Sequence, residues 1–459
     1  MRTIRLGIVL ILVRSATSSL TINTTSGQLR GKLASGTSGV IEYLGIPYGY
    51  SCPANATFAS KSELIAASGE FNFTKQAPAI LQNLLEQPEV QYSEDCLTLN
   101  VWAKPPTNET TKPVLFWIHG GGFNTGTTNN TAYNGKHLAD LEEVVVISAN
   151  YRLNIFGFPG NPHITNNLGL LDQRLAVEWV RDNIAAFGGD PDRITIFGQS
   201  AGGSSVDYYS YAWTEDPIVA GFISDSGTVL SPNAQASESA SADAWYNVTA
   251  TLGCGDEGSD PDTLLICMRS LDWEDVQDAI PSSTGISSVT GSFGPTVDDI
   301  IVFSDYVNRS IAGNFIQRPL FIGSNNYEVG LFRAIFDVEG VTFSEAQWDY
   351  LNFVIYTCPA SYRARYNVQN NIPTWRYRYF GEFPNLRLTT NPDSGAWHGS
   401  EVPLIFNTDT DIQNLVARTT AEAKIADYLR KAWVAFATDP EGGLASIQQY
   451  NGAADGVSG

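Results

Sequence analysis

The stretch Phe187–Gly203, FGGDPDRITIFGQSAGG, decides the fold. Ile194, Thr195, Ile196 and Phe197 form a short β-branched and aromatic run, which predicts a strand. Gly198-Gln199-Ser200-Ala201-Gly202 follows at once and matches G-x-S-x-G. A strand turning sharply into a helix lifts the central serine onto a strained elbow, and the flanking glycines are required because a Cβ there would strike strand or helix. The helix that follows aims its N-terminal N–H groups at any oxyanion formed on Ser200.

Outward from this elbow, apolar runs of strand length alternate with helical periodicity. PVLFWIHG from Pro113, EVVVISANYR from Glu143, RPLFIGS from Arg318 and TWRYRYF from Thr374 predict strands. Between the second of these and the elbow, Leu171, Leu175, Val177, Trp179 and Ile184 recur at helical spacing, and Gly188-Gly189 closes that helix. A last helix is expected over about 418–436. This alternation predicts an α/β fold around a mostly parallel sheet. No repeat or Pro-rich linker divides the chain, so residues 19–459 read as one domain.

Composition narrows the function classes. The 48 acidic against 27 basic residues give a net charge of −21. Such a surface repels nucleic acid and anionic membranes. Arg2 and Arg5 ahead of the apolar run Leu6–Val13, with small residues from Ser15 to Ser19, read as a secretory leader cut after about Ser18. No later segment offers 18 apolar residues in a row, so stable insertion in a bilayer is not expected. Export also fits the sequons at Asn23, Asn55, Asn72, Asn108, Asn129, Asn247 and Asn308. The cysteines are Cys52, Cys96, Cys254, Cys267 and Cys358. None lies in a His/Cys cluster of metal-ligand spacing, so structural disulfides are favoured over a metal site. Cys358 is left odd, either paired beyond this chain or a buried free thiol.

Three further features suggest acyl chemistry. His119-Gly120-Gly121-Gly122-Phe123 follows a strand, and its lack of side chains would let backbone N–H groups approach a substrate oxygen. A dinucleotide-binding turn would need glycine at Thr125, and no lysine follows for a P-loop. On such an elbow the chain order is serine, acid, histidine. Of His119, His137, His163 and His398, only His398 lies after Ser200. For the acid, Glu328 follows the strand RPLFIGS, and Asp298 in FGPTVDD is the alternative; spacing alone leaves both open.

These motifs together resemble the type-B carboxylesterase/lipase family, which includes cholinesterases and fungal extracellular lipases. SEDCLTLNVW at 93–102, WIHGGGF at 117–123, NYRLNIFGF at 150–158 and the elbow carry the likeness, with AWHGSEVPLIF at 396–406 closest to fungal secreted members. The resemblance implies an α/β-hydrolase fold and a secreted serine esterase that needs no cofactor. It implies Ser200 as nucleophile, Glu328 as acid and His398 as base. Gly121, Gly122 and Ala201 would be the oxyanion donors, and Ser226 in DSGT a supporting residue. It also implies the pairs Cys52–Cys96 and Cys254–Cys267. The 52–96 segment lacks the tryptophan that cholinesterases use there, so choline esters are not expected. In that segment Ile80, Leu81, Leu84 and Leu85 could form the apolar face of a lipase lid or simply pack on the body. Small-molecule or lipid esters are therefore both open as substrates. A non-catalytic binding domain is the alternative of a different class, and the intact serine, glutamate and histidine speak against it. The chain stops at GAADGVSG, where family members usually continue, which leaves a truncated C-terminus open.

Overall fold

Val114, Phe116 and Ile118 point to one face of their strand, Leu115 and Trp117 to the other, and all five are fully buried. Period-two burial on both faces requires layers on both sides of a sheet. The computed structural model, which describes residues 20–49, 96–105, 111–281, 291–412 and 416–447, has that arrangement. Its strands are β1 (Thr21–Thr24), β2 (Gly27–Arg30), β3 (Lys32–Leu33), β4 (Ile41–Pro47), β5 (Thr98–Ala103), β6 (Lys112–Ile118), β7 (Val145–Ala149), β8 (Gly189–Gln199), β9 (Gly221–Asp225), β10 (Leu320–Asn325) and β11 (Thr374–Tyr379).

The large sheet runs β11-β10-β9-β8-β6-β7-β5-β4-β3, and β1–β2 form a separate hairpin. From β7 through β11 every neighbouring pair is parallel, while β3, β4 and β5 add an antiparallel edge. All the strands expected from sequence are present, and the α/β-hydrolase class stands. The chain passes from β6 outward to β7 and returns on the other side of β6 to β8, so β6 and β8 are neighbours at the point where strand order reverses. A crevice at the carboxyl ends of the strands is expected there.

The helices that position the site are α1 (Leu168–Asn183), α2 (Ala201–Ala212), α3 (Glu238–Thr251), α4 (Pro261–Ser270), α5 (Val329–Glu339), α6 (Glu345–Asn352), α7 (Cys358–Gln369), α8 (Val402–Phe406) and α9 (Thr420–Thr438). Helix α9 begins on a capping box of Thr419 and Glu422, close to its expected start. Helix α1 continues as a short 3-10 turn that ends on Gly188 at φ 83°, as the glycine pair predicts.

The buried face of α1 differs from the apolar spacing. Leu175 is 40% exposed, whereas Asp172, Gln173 and Arg174 are buried. Each of the three has a partner that offsets its desolvation. Asp172 takes a two-pronged ion pair from Arg152, Gln173 donates to Ser205, and Arg174 reaches Tyr209 and Asp216. Apolar periodicity misses a helix face that is closed by ion pairs.

Candidate active site

The elbow is built by close backbone approach. Ser200 lies between β8 and α2 with φ 61° and ψ −123°, a strained conformation for a non-glycine residue. Its N–H donates to the Asp225 carbonyl at 2.8 Å, and its own carbonyl accepts from Ser204 N–H at 2.9 Å. A Cβ on Gly202 would sit 2.0 Å from the Ile118 carbonyl oxygen, and one on Gly198 2.6 Å from the Gly202 backbone. Glycine is therefore obligatory on both sides of the serine. Gly227 is as constrained, since its Cβ would lie 2.1 Å from the Ser200 carbonyl oxygen.

Glu328 stands just beyond β10, fully buried. Its Oε1 accepts from the Ser226 hydroxyl and from Asn325 N–H, both at 2.6 Å. Its Oε2 lies 2.6 Å from His398 Nδ1. A carboxylate can only accept, so Nδ1 carries the proton of the neutral ring and Nε2 keeps its lone pair. Nε2 is buried and has no hydrogen-bond partner among the described residues. The loop bearing His398 reaches the elbow itself. A Cβ on Gly399 would come 3.5 Å from the side-chain amide of Gln199, the residue before Ser200. The rings of Tyr356 and Phe332 flank the imidazole at 4.9 and 5.4 Å. Tyr356 belongs to a π-helical turn over Phe353–Thr357, an irregularity often found at functional sites.

The glycine-rich loop after β6 turns its carbonyls inward. The Gly121 carbonyl accepts from the N–H groups of Asn124 and Thr125, each at 3.0 Å, and the Gly122 carbonyl accepts from the Asn124 side-chain amide at 2.6 Å. With those planes fixed, the N–H groups of Gly121, Gly122 and Ala201 donate to no acceptor among the described residues. Gly121 and Gly122 hold φ of 114° and 62°, a backbone that L side chains seldom adopt. Beneath them, buried His119 stacks on Tyr151 and donates from Nδ1 to the Gly120 carbonyl at 2.8 Å. Burial pulls its pKa down to about 4, against the raising effect of that carbonyl, so the ring is neutral.

The structure thus brings Glu328, His398 and Ser226 into one hydrogen-bonded chain at the carboxyl end of the sheet, with Ser200 and the glycine loop at the adjoining strands. Asp298 has another task. One of its carboxylate oxygens accepts from the N–H groups of Ile300, Ile301 and Val302 and the other from Asn167, so it closes a turn and bonds to none of Glu328, His398 and Ser226. Sequence reasoning missed three buried polar residues behind the site: Asn325, Asp225 and Glu401. Burial pushes the Asp225 carboxyl up to about 7, against hydrogen bonds from Tyr377 and Trp433. Nothing in their spacing separates them from solvated polar residues.

Cys254 and Cys267 form a disulfide, as expected. Cys358 is exposed, not buried, and has no disulfide partner among the described residues. Cys52, Asn55, Asn72, Asn108, the four lid candidates, the leader and the tail 452–459 lie outside the described residues. Asn23, Asn129, Asn247 and Asn308 are all exposed. No helix among the described residues is long and apolar enough to cross a membrane.

A model of the carboxylesterase family matches residues 18–347. The chain belongs to the carboxylesterase family. It is 32% identical to Secreted lipase 5 of Gibberella zeae, over 93% of this chain and 87% of the relative. Chlorogenic acid esterase of Aspergillus niger is 33% identical, over 94% of this chain and 85% of its own length. Cholinesterase of Mus musculus is 30% identical, over 91% and 78%. As a carboxylesterase family member with this fold, the protein is a carboxylic ester hydrolase.

Proposed function

We propose that Ser200, His398 and Glu328 are the nucleophile, base and acid of a serine esterase, with the N–H groups of Gly121, Gly122 and Ala201 as its oxyanion hole. The observation that carries this reading is the 2.6 Å contact of His398 Nδ1 with buried Glu328, which leaves Nε2 as the lone-pair base. Nε2 takes the Ser200 proton as the hydroxyl attacks the ester carbonyl. The oxygen becomes an oxyanion held by the three N–H groups, each worth about 2.7–4 kcal/mol of barrier. His398 then protonates the departing alcohol. Water repeats the attack on the acyl-enzyme and releases the acid. Ser226 and Asn325 hold the Glu328 carboxylate in place throughout.

In this reading residues 19–459 are one domain exported after loss of residues 1–18. The Cys254–Cys267 bridge and the four exposed sequon asparagines support passage through an oxidising, glycosylating compartment. The net charge of −21 supports a soluble enzyme acting on neutral small-molecule esters and not on nucleic acid.

Hydrolysis of p-nitrophenyl esters from acetate to palmitate, with Ser200→Ala as control, tests the proposal. The expected result is activity lost in the variant and greatest on short chains. A maximum on long chains would instead favour the lidded-lipase reading. Activity that survives in Ser200→Ala would overturn the assignment of the nucleophile.

A further inference from the structure

Glu401 is an unusual neighbour for a catalytic histidine. It lies three residues after His398, just before α8, and is completely buried. Among the described residues no lysine, arginine or histidine forms an ion pair with it. The titratable groups around it are the carboxyls of Glu328 and Asp225 and the phenols of Tyr377 and Tyr379. A carboxylate in such a place costs several kcal/mol unless a cation or a set of donors compensates it.

The hydrogen bonds point to a different state. Asn325 Nδ2 donates to the Trp397 carbonyl at 2.7 Å and also to Glu401 Oε2. Because the Trp397 carbonyl can only accept, the orientation of the Asn325 amide is fixed. Two buried oxygens then have no hydrogen-bond partner among the described residues, Glu401 Oε1 and Asn325 Oδ1. Both are acceptors if Glu401 is ionised, and besides the Asn325 amide the carboxyl has only its own backbone N–H as a donor among the described residues. A proton on Oε1 makes that oxygen a donor in place of a buried, unpartnered charged acceptor.

Asn325 matters because its backbone N–H is one of the two donors on Glu328 Oε1. Its side chain also grips the carbonyl next to His398. We propose that Glu401 is a positioning residue held as a neutral carboxylic acid, which clamps Asn325 and leaves Glu328 as the only negative charge facing His398. This rests on the triad reading above. Burial first, and then Glu328 and Asp225, push the Glu401 carboxyl well above the usual carboxylate range, against hydrogen bonds from Asn325 and from its own backbone N–H. The direction agrees with the geometry.

Glutamine has the shape of the neutral acid, and its carbonyl can still accept from the Asn325 amide. Glu401→Gln should therefore keep kcat/KM on p-nitrophenyl acetate within about threefold of wild type, with the acid limb of its pH profile unmoved. Glu401→Ala should lower kcat about tenfold or more with little change in KM, since it releases Asn325. If Glu401 is ionised, Glu401→Gln removes a negative charge near His398. The acid limb then moves down by a pH unit or more, and the proposal fails.

A readout without turnover separates this from the triad reading. The infrared spectrum at about pH 8, above the value of about 7 for Asp225, should show a protonated-carboxyl stretch that Glu401→Gln removes. An identical spectrum in the variant overturns the neutral-acid assignment even if the enzyme is fully active. A lost band in a protein whose hydrolysis survives Ser200→Ala would leave Glu401 neutral and the triad reading wrong.

Discussion

Glu328 is attached to His398 twice. Its Oε2 lies 2.6 Å from the imidazole Nδ1, and its backbone carbonyl accepts the His398 N–H at 3.3 Å. The second bond ties together the loops after β10 and β11, so the ring and its carboxylate move as one body. Preorganisation of this kind lets a base act without rearrangement.

Replacing Glu328 by glutamine tests the tautomer argument. Ser226 Oγ–H and Asn325 N–H both require an acceptor at Oε1, so the glutamine carbonyl must stay there. Its NH2 then faces Nδ1, which forces the ring proton onto Nε2 and removes the base. A fall in kcat of about 10⁴-fold is expected, by analogy with the corresponding change in a serine protease. Steady-state kinetics on p-nitrophenyl acetate measures it, and a loss under tenfold would contradict the argument.

The oxyanion loop should be acid-sensitive through His119. Its folded pKa is depressed from 6.5 to about 4, so the unfolded chain takes up the proton first. The stability that neutral His119 contributes is complete above about pH 6.5 and lost as pH falls towards 4, on the order of 3 kcal/mol in all. In His119→Asn, which keeps a donor near the Gly120 carbonyl but does not titrate, the Tm should decline less over that range. Parallel curves would refute the linkage.

Crowding at the elbow gives a steric prediction. Gly202→Ala places a Cβ 2.0 Å from the Ile118 carbonyl oxygen and 3.0 Å from the His119 carbonyl carbon, both backbone atoms. A cost of about 3 kcal/mol or more, with loss of activity, is expected. Gly294→Ala is the control, because its Cβ meets nothing within 4 Å. Soluble yield and thermal unfolding compare the two.

The Cys254–Cys267 bridge spans 13 residues between α3 and α4, far from the elbow in the chain. Changing both cysteines to alanine should cost about 3 kcal/mol through the freed loop of the unfolded chain. Hydrolysis should be unaffected. Thermal unfolding and kcat/KM measured together check both halves.

What the sequence revealed and what it hid have a common physical origin. The strands and the elbow were legible because β-branched runs and obligatory glycines are local signals. His398 was legible because only one histidine follows Ser200. Spacing favours Glu328 over Asp298 without deciding between them, since carboxylates look alike in sequence. Asn325, Asp225 and Glu401 were invisible for the same reason. Their burial depends on β9, β10 and the His398 loop meeting over 176 residues of chain from Asp225 to Glu401. The polar face of α1 was misread because Arg152 and Asp216, which satisfy it, come from elsewhere.

The covalent intermediate tests the central claim most directly. A fluorophosphonate ester should add one phosphonyl group per chain by intact-mass spectrometry, and peptide mapping should place it on Ser200. Ser200→Ala should add none. Labelling at another residue, or an active enzyme that resists labelling, would contradict the assignment of Ser200 as nucleophile.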